Sequence, residues 1–528
     1  MKKNSLLTIL LLLTLAFISC DDFLDELPDK RAELNTPQKI AQILVSAYPT
    51  EMPTMMYEIM SDNTIDNGPL YNVNTQEQTI IQAYKYQAFT ETAWDVPQRV
   101  WQLNYSSIAA ANQALAAIEE LGNLEATNGS KAEALLCRAF GHFTLVNTFS
   151  MAYNPVSSTT DFGIPYIEAP ETTVSPKYER GTVASVYELI NRDIEEALPL
   201  LNDNYSQPKY HFNSKAAYAF AARFNLFYGK WDKAIEYATK AIGENPTSQF
   251  RDVVYVSSHA QPIDRFYAYI DKDADCNLLI LPQRSLWGRI FRMSAAYARY
   301  AHARSVAYHT IWQNFPWDDV ANGYNSVFGS TQNVYFPKIW EIFEYTNVTT
   351  GSGQPHTVLV PFTVEETLMC RAEANVMLGK FDDAVRDLNY WYAYSSPANS
   401  TFTAQQISAW YAEERPRTPR HQIESRFNVS EGLQDNLLRA VLAIRRIEGI
   451  HLGLRWLDIK RHGITVNHPV YSSTTEYDMI TLDAYDKRTA IQLPQDVISA
   501  GIPANPQDDV TTTPAIEPEY EQMIVDQL

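Results

Sequence analysis

Cysteine is scarce in this sequence, with 4 in 528 residues. One closes the N-terminal leader. The other three, Cys137, Cys276 and Cys370, are odd in number and far apart, which argues against a disulfide framework or a zinc site. Cys137 and Cys370 sit in helical patterns, ALLCRAF and TLMCRAE, where a thiol packs as a small apolar group. Positive charge is also short: Lys+Arg 42 stand against Asp+Glu 62, for a net charge of -20. Such a field repels phosphate backbones, so nucleic acid is not expected as a partner. Past the leader no run approaches the ~20 apolar residues of a membrane-crossing helix. Catalytic signatures are missing as well: there is no G-x-S-x-G, no H-E-x-x-H and no phosphate-cradling glycine loop. His302, His309, His451 and His462 lack ligand spacing, so no metal and no cofactor is expected. Carboxylates are plentiful, but a glycosidase needs two facing each other across a sugar, and sequence does not pair them. The expectation is a protein without catalytic residues.

What is present starts with the leader, MKKNSLLTILLLLTLAFISC. Two lysines followed by a short apolar run form a secretory signal over residues 1–19. Ser19 directly before Cys20 resembles a lipobox, in which the Cys is acylated through sulfur and, after cleavage, on its new amino group. Each buried methylene contributes ~0.8 kcal/mol, and several chains on one Cys make a stable anchor. Loss of Lys2 and Lys3 brings the mature charge to -22. Residues 20–35, opening CDDFLDELPDK, read as an acylated, acidic tether.

From 36 onward the chain reads as helices joined by long polar loops. Thr36-Pro37 is an N-cap followed by proline at the first helical position. Residues 61–80 are a loop rich in Asn, Asp and Thr. Helical periodicity resumes at Trp101 and again over 131–149, whereas 150–178 carry four prolines and are irregular. Residues 215–246 and 365–397 then repeat one plan: a helix, G-K-[WF]-D-[KD]-A, and a second helix. Gly229 or Gly379 closes the first helix, Trp231 or Phe381 wedges between the pair, and Ala234 or Ala384 permits close approach. That is tetratricopeptide-like logic at a ~34-residue period. Three regions follow: an N-terminal helical region over 36–246, a loop-rich insertion over 247–362 carrying short strands, and a C-terminal region over 363–528. The fold class is mainly α, built on helix pairs with long irregular loops and a few short strands.

At this point the residues resemble the SusD/RagB family. CDDFLDELP (20–28), KAEALLCRAFGHFTLVNTF (131–149) with GIPYIEAP (163–170), GTVASVYELINRDIEEALPLL (181–201), the two repeats, RRIEGIHLGLRWLDIKRHG (445–463) and IQLPQDVISAGIPANP (491–506) stand in the family's order. One departure is visible. The family commonly has Glu two residues before the motif Arg, whereas here Leu452-Gly453-Leu454 precedes Arg455, and Ile444 replaces an earlier Glu. A local ion pair of the fold is thereby in question. The resemblance implies a lipid-anchored outer-membrane protein, exposed at the cell surface, that binds oligosaccharide, or peptide in some members, and sits over a SusC-like TonB-dependent transporter barrel. It also implies four repeat units, the remaining two falling at 101–149 and 436–462.

In that family the ligand platform comes from the loop after the first helices and from the central insertion. Those regions here hold Tyr71, Tyr84, Tyr86 and Trp94, then Trp287, Tyr297, Tyr300, Trp312, Trp317 and Tyr324. A pyranose presents a C–H face that stacks on such rings. Tyr71, Trp94, Trp287, Tyr297, Trp312, Trp317 and Tyr324 are taken as the ligand candidates, with Trp101 assigned to the core. A repeat-based interaction scaffold and a surface glycoside hydrolase are the competing readings. Converging exposed rings favour a glycan binder, a bare helical groove the scaffold, and facing carboxylates in a cleft the hydrolase.

Overall fold

The computed structural model describes residues 34–71, 77–173, 176–294, 298–312, 315–316, 326–328, 333–396, 400–414, 422–474, 476–508 and 512–514. Cys20 and the tether lie outside these. The described chain is mainly α. Helix α1 (Pro37–Leu44) starts where predicted, with Thr36 Oγ1 accepting from the Lys39 N–H at 3.3 Å. After it come α2 (Thr54–Met60), the two-residue strand β1 (Ile65–Asp66) and α3 (Glu77–Tyr84). A long pair, α4 (Pro97–Glu120) and α5 (Asn128–Phe149), precedes α6 (Val183–Ala197), which opens with a capping box between Thr182 and Ser185. The repeat pair α7 (Ser214–Phe227) and α8 (Trp231–Ile242) is next.

The insertion holds α9 (Val253–Ser258), α10 (Pro262–Tyr269), β2 (Asn277–Gln283), α11 (Trp287–Ser294), β3 (Tyr300–Ala301), α12 (Arg304–Ala307), β4 (Ser326–Phe328), β5 (Asn333–Tyr335), β6 (Ile342–Asn347) and β7 (Ser352–Thr363). Then come α13 (Val364–Met377), α14 (Phe381–Ser395), α15 (Ala404–Tyr411), α16 (Leu433–Glu448), α17 (Leu454–His462), β8 (Val466–Tyr471), β9 (Tyr477–Leu482), α18 (Gln495–Ser499) and β10 (Thr512–Pro514).

Helices α5 and α13 form the centre. Every residue of α5 from Ala132 onward and every residue of α13 is buried, as expected of helices with neighbours on all sides. The two repeats close identically. Gly229 (φ 74) and Gly379 (φ 71) are left-handed, and Lys230 and Lys380 each return a backbone N–H to an Asn carbonyl, Asn225 and Asn375, at 2.9 Å. Ala234 and Ala384 are fully buried. Trp231 is only half-buried, and its ring sets an edge against Phe427, 5.2 Å away, a partner from far along the chain. Phe381 is half-buried too. The Trp231 ring therefore braces the outside of its helix pair as well as the seam.

Two expectations need adjustment. The insertion is not confined to the surface: Leu278, Leu279, Ile280 and Leu281 of β2 are buried, and β7 runs directly into α13 through the Thr363 N-cap. Sheet order is β2-β7-β6, antiparallel, with β6, the start of β7 and Pro282 of β2 exposed. The 436–462 segment is also no simple hairpin, since α16 packs on α13 and α15 while α17 turns away against α2. Its joint contains two left-handed residues, His451 (φ 67) and Gly453 (φ 71), and a Cβ on Gly453 would come within 2.7 Å of Tyr57 Cβ.

Buried ion pairs tie these helices together. The Cys-Arg-Ala triplet occurs twice, and both times its Arg makes a bidentate pair with the next helix: Arg138 to Asp193 at 2.6 and 2.9 Å, Arg371 to Asp387 at 2.8 and 2.9 Å. Around α17, Arg461 holds Glu373 at 2.8 and 3.0 Å and Asp458 at 2.7 Å, while Arg445 also reaches Asp458. Burial pushes Glu373 up, but Arg461, His462 and Arg445 together outweigh it and hold the carboxyl well below its ordinary value. The RWLDIKRH segment is thus wholly interior. The missing glutamates are replaced from α2 and the turn after it: Arg455 takes Asp62 at 2.8 Å through both nitrogens, and Glu58 accepts the N–H groups of His451 and Gly453.

Candidate functional site

The loop after the first helices and the central insertion meet in a two-residue ladder. Ile65 pairs with Ala301 and Asp66 with Tyr300. Asp66, 1% exposed, joins three segments. It accepts both nitrogens of Arg299 at 2.7 and 2.9 Å, the Gly68 N–H at 2.8 Å and the Tyr471 N–H at 3.2 Å. Arg299 also donates to the Tyr471 carbonyl. The pair with Asp66 raises the Arg299 pKa. With its oxygens so engaged, Asp66 is a structural node and not a free acid or base.

Beneath the ladder is a buried stack of rings. Tyr84 lies 4.2 Å from His468 with planes 2° apart and 4.6 Å from Tyr300, and Tyr86 continues the stack to Trp456. The Tyr84 hydroxyl accepts from the Asp66 N–H and donates to the Pro469 carbonyl, and that of Tyr86 donates to the Met60 carbonyl. These rings are floor and cannot meet a ligand. The three segments that meet here also carry half-buried rings, the aromatic rim of this region. Tyr71 ends the turn after β1, Tyr471 and Tyr477 face each other at 5.0 Å across the tip of the β8–β9 hairpin, and Tyr308 meets Trp312 edge-on at 5.5 Å shortly after β3. Arg304 donates to the Tyr308 hydroxyl at 2.6 Å.

Of the seven ligand candidates, Tyr71 and Trp312 are among these half-buried rings. Trp94 is half-buried, next to Asp95 in the chain. Trp287 is corrected to a core residue: it is 3% exposed, and its indole donates to the His451 carbonyl at 3.1 Å. Its turn, fixed by Asp95 accepting from the Ser285 hydroxyl and the Leu286 N–H, sends the ring inward. Tyr297, Trp317 and Tyr324 lie outside the described residues. Sequence reasoning passed over Tyr308, Tyr471 and Tyr477, although the last two flank SSTTE between alternating strands, which is a hairpin signal. Cys137, Cys276 and Cys370 are unpaired and buried, and among the described residues no group of three His, Cys, Asp or Glu could hold a metal.

A sequence-family profile, SusD-like_3, described as starch-binding and associating with the outer membrane, matches residues 22–226. Solved structures with the same architecture include a SusD superfamily protein from Bacteroides thetaiotaomicron (18% identity, TM-score 0.62, covering 89% of this chain and 100% of that one) and one from Bacteroides vulgatus (17%, 0.60, 89% and 99%). Over residues 22–226 the chain matches the SusD-like family model, and its fold is that of the SusD superfamily structures. A SusD-like carbohydrate binding protein from Bacteroides vulgatus matches as well, at 15% identity and a TM-score of 0.59 over 88% of this chain and 96% of that one. No curated protein matches the sequence significantly. The helix pairs, the paired loops and the buried RWLDIKRH helix are therefore this chain's version of the SusD scaffold, and among its described residues no helix is long and apolar enough to cross a membrane.

Proposed function

We propose that this SusD-like chain is a nutrient-binding lipoprotein, anchored in the outer membrane through Cys20 and exposed at the cell surface. It captures an oligosaccharide without turning it over and passes it to a SusC-like TonB-dependent transporter. The observation that carries the reading is the meeting of three distant segments at Asp66 and Arg299, each of which also carries half-buried rings: Tyr71, Trp312 and the Tyr471–Tyr477 pair. Half-exposed tyrosines give a stacking face and a hydroxyl together, which suits a sugar ring with its C–H face and hydroxyl edge. The family description and the carbohydrate-binding relative support the same ligand class. In this reading 36–246 and 363–528 form the scaffold and 247–362 supplies half of the platform.

Calorimetry of the mature chain against neutral glycans and peptides tests it. A solvated sugar gives up about as much hydrogen bonding as it gains, so stacking must supply the surplus. Each ring contributes ~1 kcal/mol, so Trp312→Ala or Tyr471→Ala should weaken binding about fivefold and the double variant about thirtyfold. Cleavage of the glycan during titration would move the reading to a hydrolase. Silence across the panel with capture of a partner protein instead would leave the scaffold.

A further inference from the structure

A second cleft, of about 290 Å³, opens between the 151–162 loop, Arg426 and the segments around Tyr485 and Asn505. It is not the aromatic rim. Tyr471 and Tyr477 pair at the tip of the β8–β9 hairpin, Val466 and Leu482 pair at its base, and Tyr485 follows that base. Five residue steps of strand place roughly 17 Å between tip and base.

The cleft is built around Tyr485, whose backbone is left-handed (φ 58). An aromatic residue is strained in that region and stays there only when its surroundings hold it. The Arg426 guanidinium lies 3.8 Å over the Tyr485 ring, and the Arg426 N–H donates to the phenol oxygen at 2.8 Å. Gly463, left-handed at φ 56, makes room for the ring edge, where a Cβ would come within 2.7 Å of Cε2. Arg426 Nη1 donates to Ser157 Oγ at 2.9 Å, and Ser157 donates to Asp161 at 2.6 Å. Among the described residues Arg426 has no ion-pair partner, and its Nε and Nη2 have no acceptor. The neighbouring cations are spoken for: Arg488 is held by Asp486, and Lys487 meets Asp508 at 3.2 Å. Opposite stands Phe162, 46% exposed, with the Arg180 guanidinium 5.1 Å from its ring centre.

We propose that this cleft is a second saccharide site, specific for a sugar carboxylate. A guanidinium fixed flat by stacking and left with two free donors matches a carboxylate in a way that a neutral hydroxyl does not. The exposed Phe162 ring offers a surface for a C–H face, so the group that satisfies both is a uronic acid unit. The volume lies near the lower end for small-ligand sites, room for a short saccharide end and not for a long chain. In a chain of net charge -20, general attraction for anions is absent, so an acid that binds here depends on the local cations, Arg426 first among them.

The test titrates the purified mature chain with a uronic acid disaccharide, its methyl ester and a short peptide with a free C-terminus, by calorimetry at low and moderate salt. The acid is expected to bind, the ester at least tenfold more weakly, and Arg426→Gln to lose at least tenfold for the acid alone. Phe162→Ala, a change at an exposed ring, should weaken the acid about fivefold and stands as the test if Arg426→Gln fails to fold. Equal binding of acid and ester, no binding of the acid, or Phe162→Ala and Arg426→Gln both matching the parent chain would overturn the proposal. So would Arg426-dependent capture of the peptide in place of the sugar acid.

Discussion

Among the described residues, Lys460 is buried with no carboxylate beside it, and its ammonium donates only to the carbonyls of Asn147 and Ser150, at 2.6 and 2.9 Å. Burial pushes its pKa down to about 7. In the unfolded chain the same group titrates near ~10.4. Between those values the unfolded state binds a proton that the native state does not, so this residue makes stability rise with pH from about 7 to about 10, and its penalty is complete below 7. Lys338, pushed down to about 8 by burial, acts in the same direction. Lys460→Met should therefore flatten the rise in Tm between pH 7 and pH 10, and thermal melts of the two proteins across that range read it directly. An unchanged slope would show that the ammonium is solvated. Nothing in the sequence marked Lys460 as interior, because in DIKRHG it stands among charged residues that look like an exposed face. The partners that bury the segment, Glu373 and Asp62 among them, come from elements far away in the chain.

At the scale of elements the repeats were legible because their determinants are local. A glycine that must be left-handed, a small residue at the crossing and an aromatic at the first position of the second helix all lie within a few residues of one another. What the spacing did not give is the outer neighbour of Trp231, since Phe427 arrives from nearly 200 residues downstream. The same contact sets the response to substitution. A Cβ on Gly229 would come within 2.9 Å of the Phe427 ring and would sit on a left-handed backbone, while at Gly122, also left-handed, it meets nothing within 4 Å. Gly229→Ala should cost ~2 to 3 kcal/mol and Gly122→Ala ~1 kcal/mol. Trp231→Ala removes a half-buried ring and should fall near the lower end of the ~3 to 5 kcal/mol range for large aromatics. Denaturant melts of the three variants check the order, and equal losses at the two glycines would mean that Phe427 yields freely. The aromatic rim was half legible: the segments of Tyr71 and Trp312 were named from the family resemblance, while Tyr471 and Tyr477 depend on a hairpin that only the tertiary fold delivers to Asp66.

For the whole molecule, the proposed anchor and the binding body are separable. The described core begins at α1, where Ile40 and Leu44 are fully buried. A membrane-bound capture protein gains from this arrangement, because a tether confines the ligand site near its transporter and raises the effective concentration there without any new contact. Cys20→Ala should thus remove fatty-acid labelling and membrane retention together, while the released protein keeps the Tm and the glycan affinity of the acylated form. Metabolic labelling with a fatty-acid probe, fractionation and calorimetry on the same preparation check the three quantities. Labelling equal to that of the parent chain would place the acyl group elsewhere. Loss of glycan affinity in a folded, released variant would show that anchor and site are coupled.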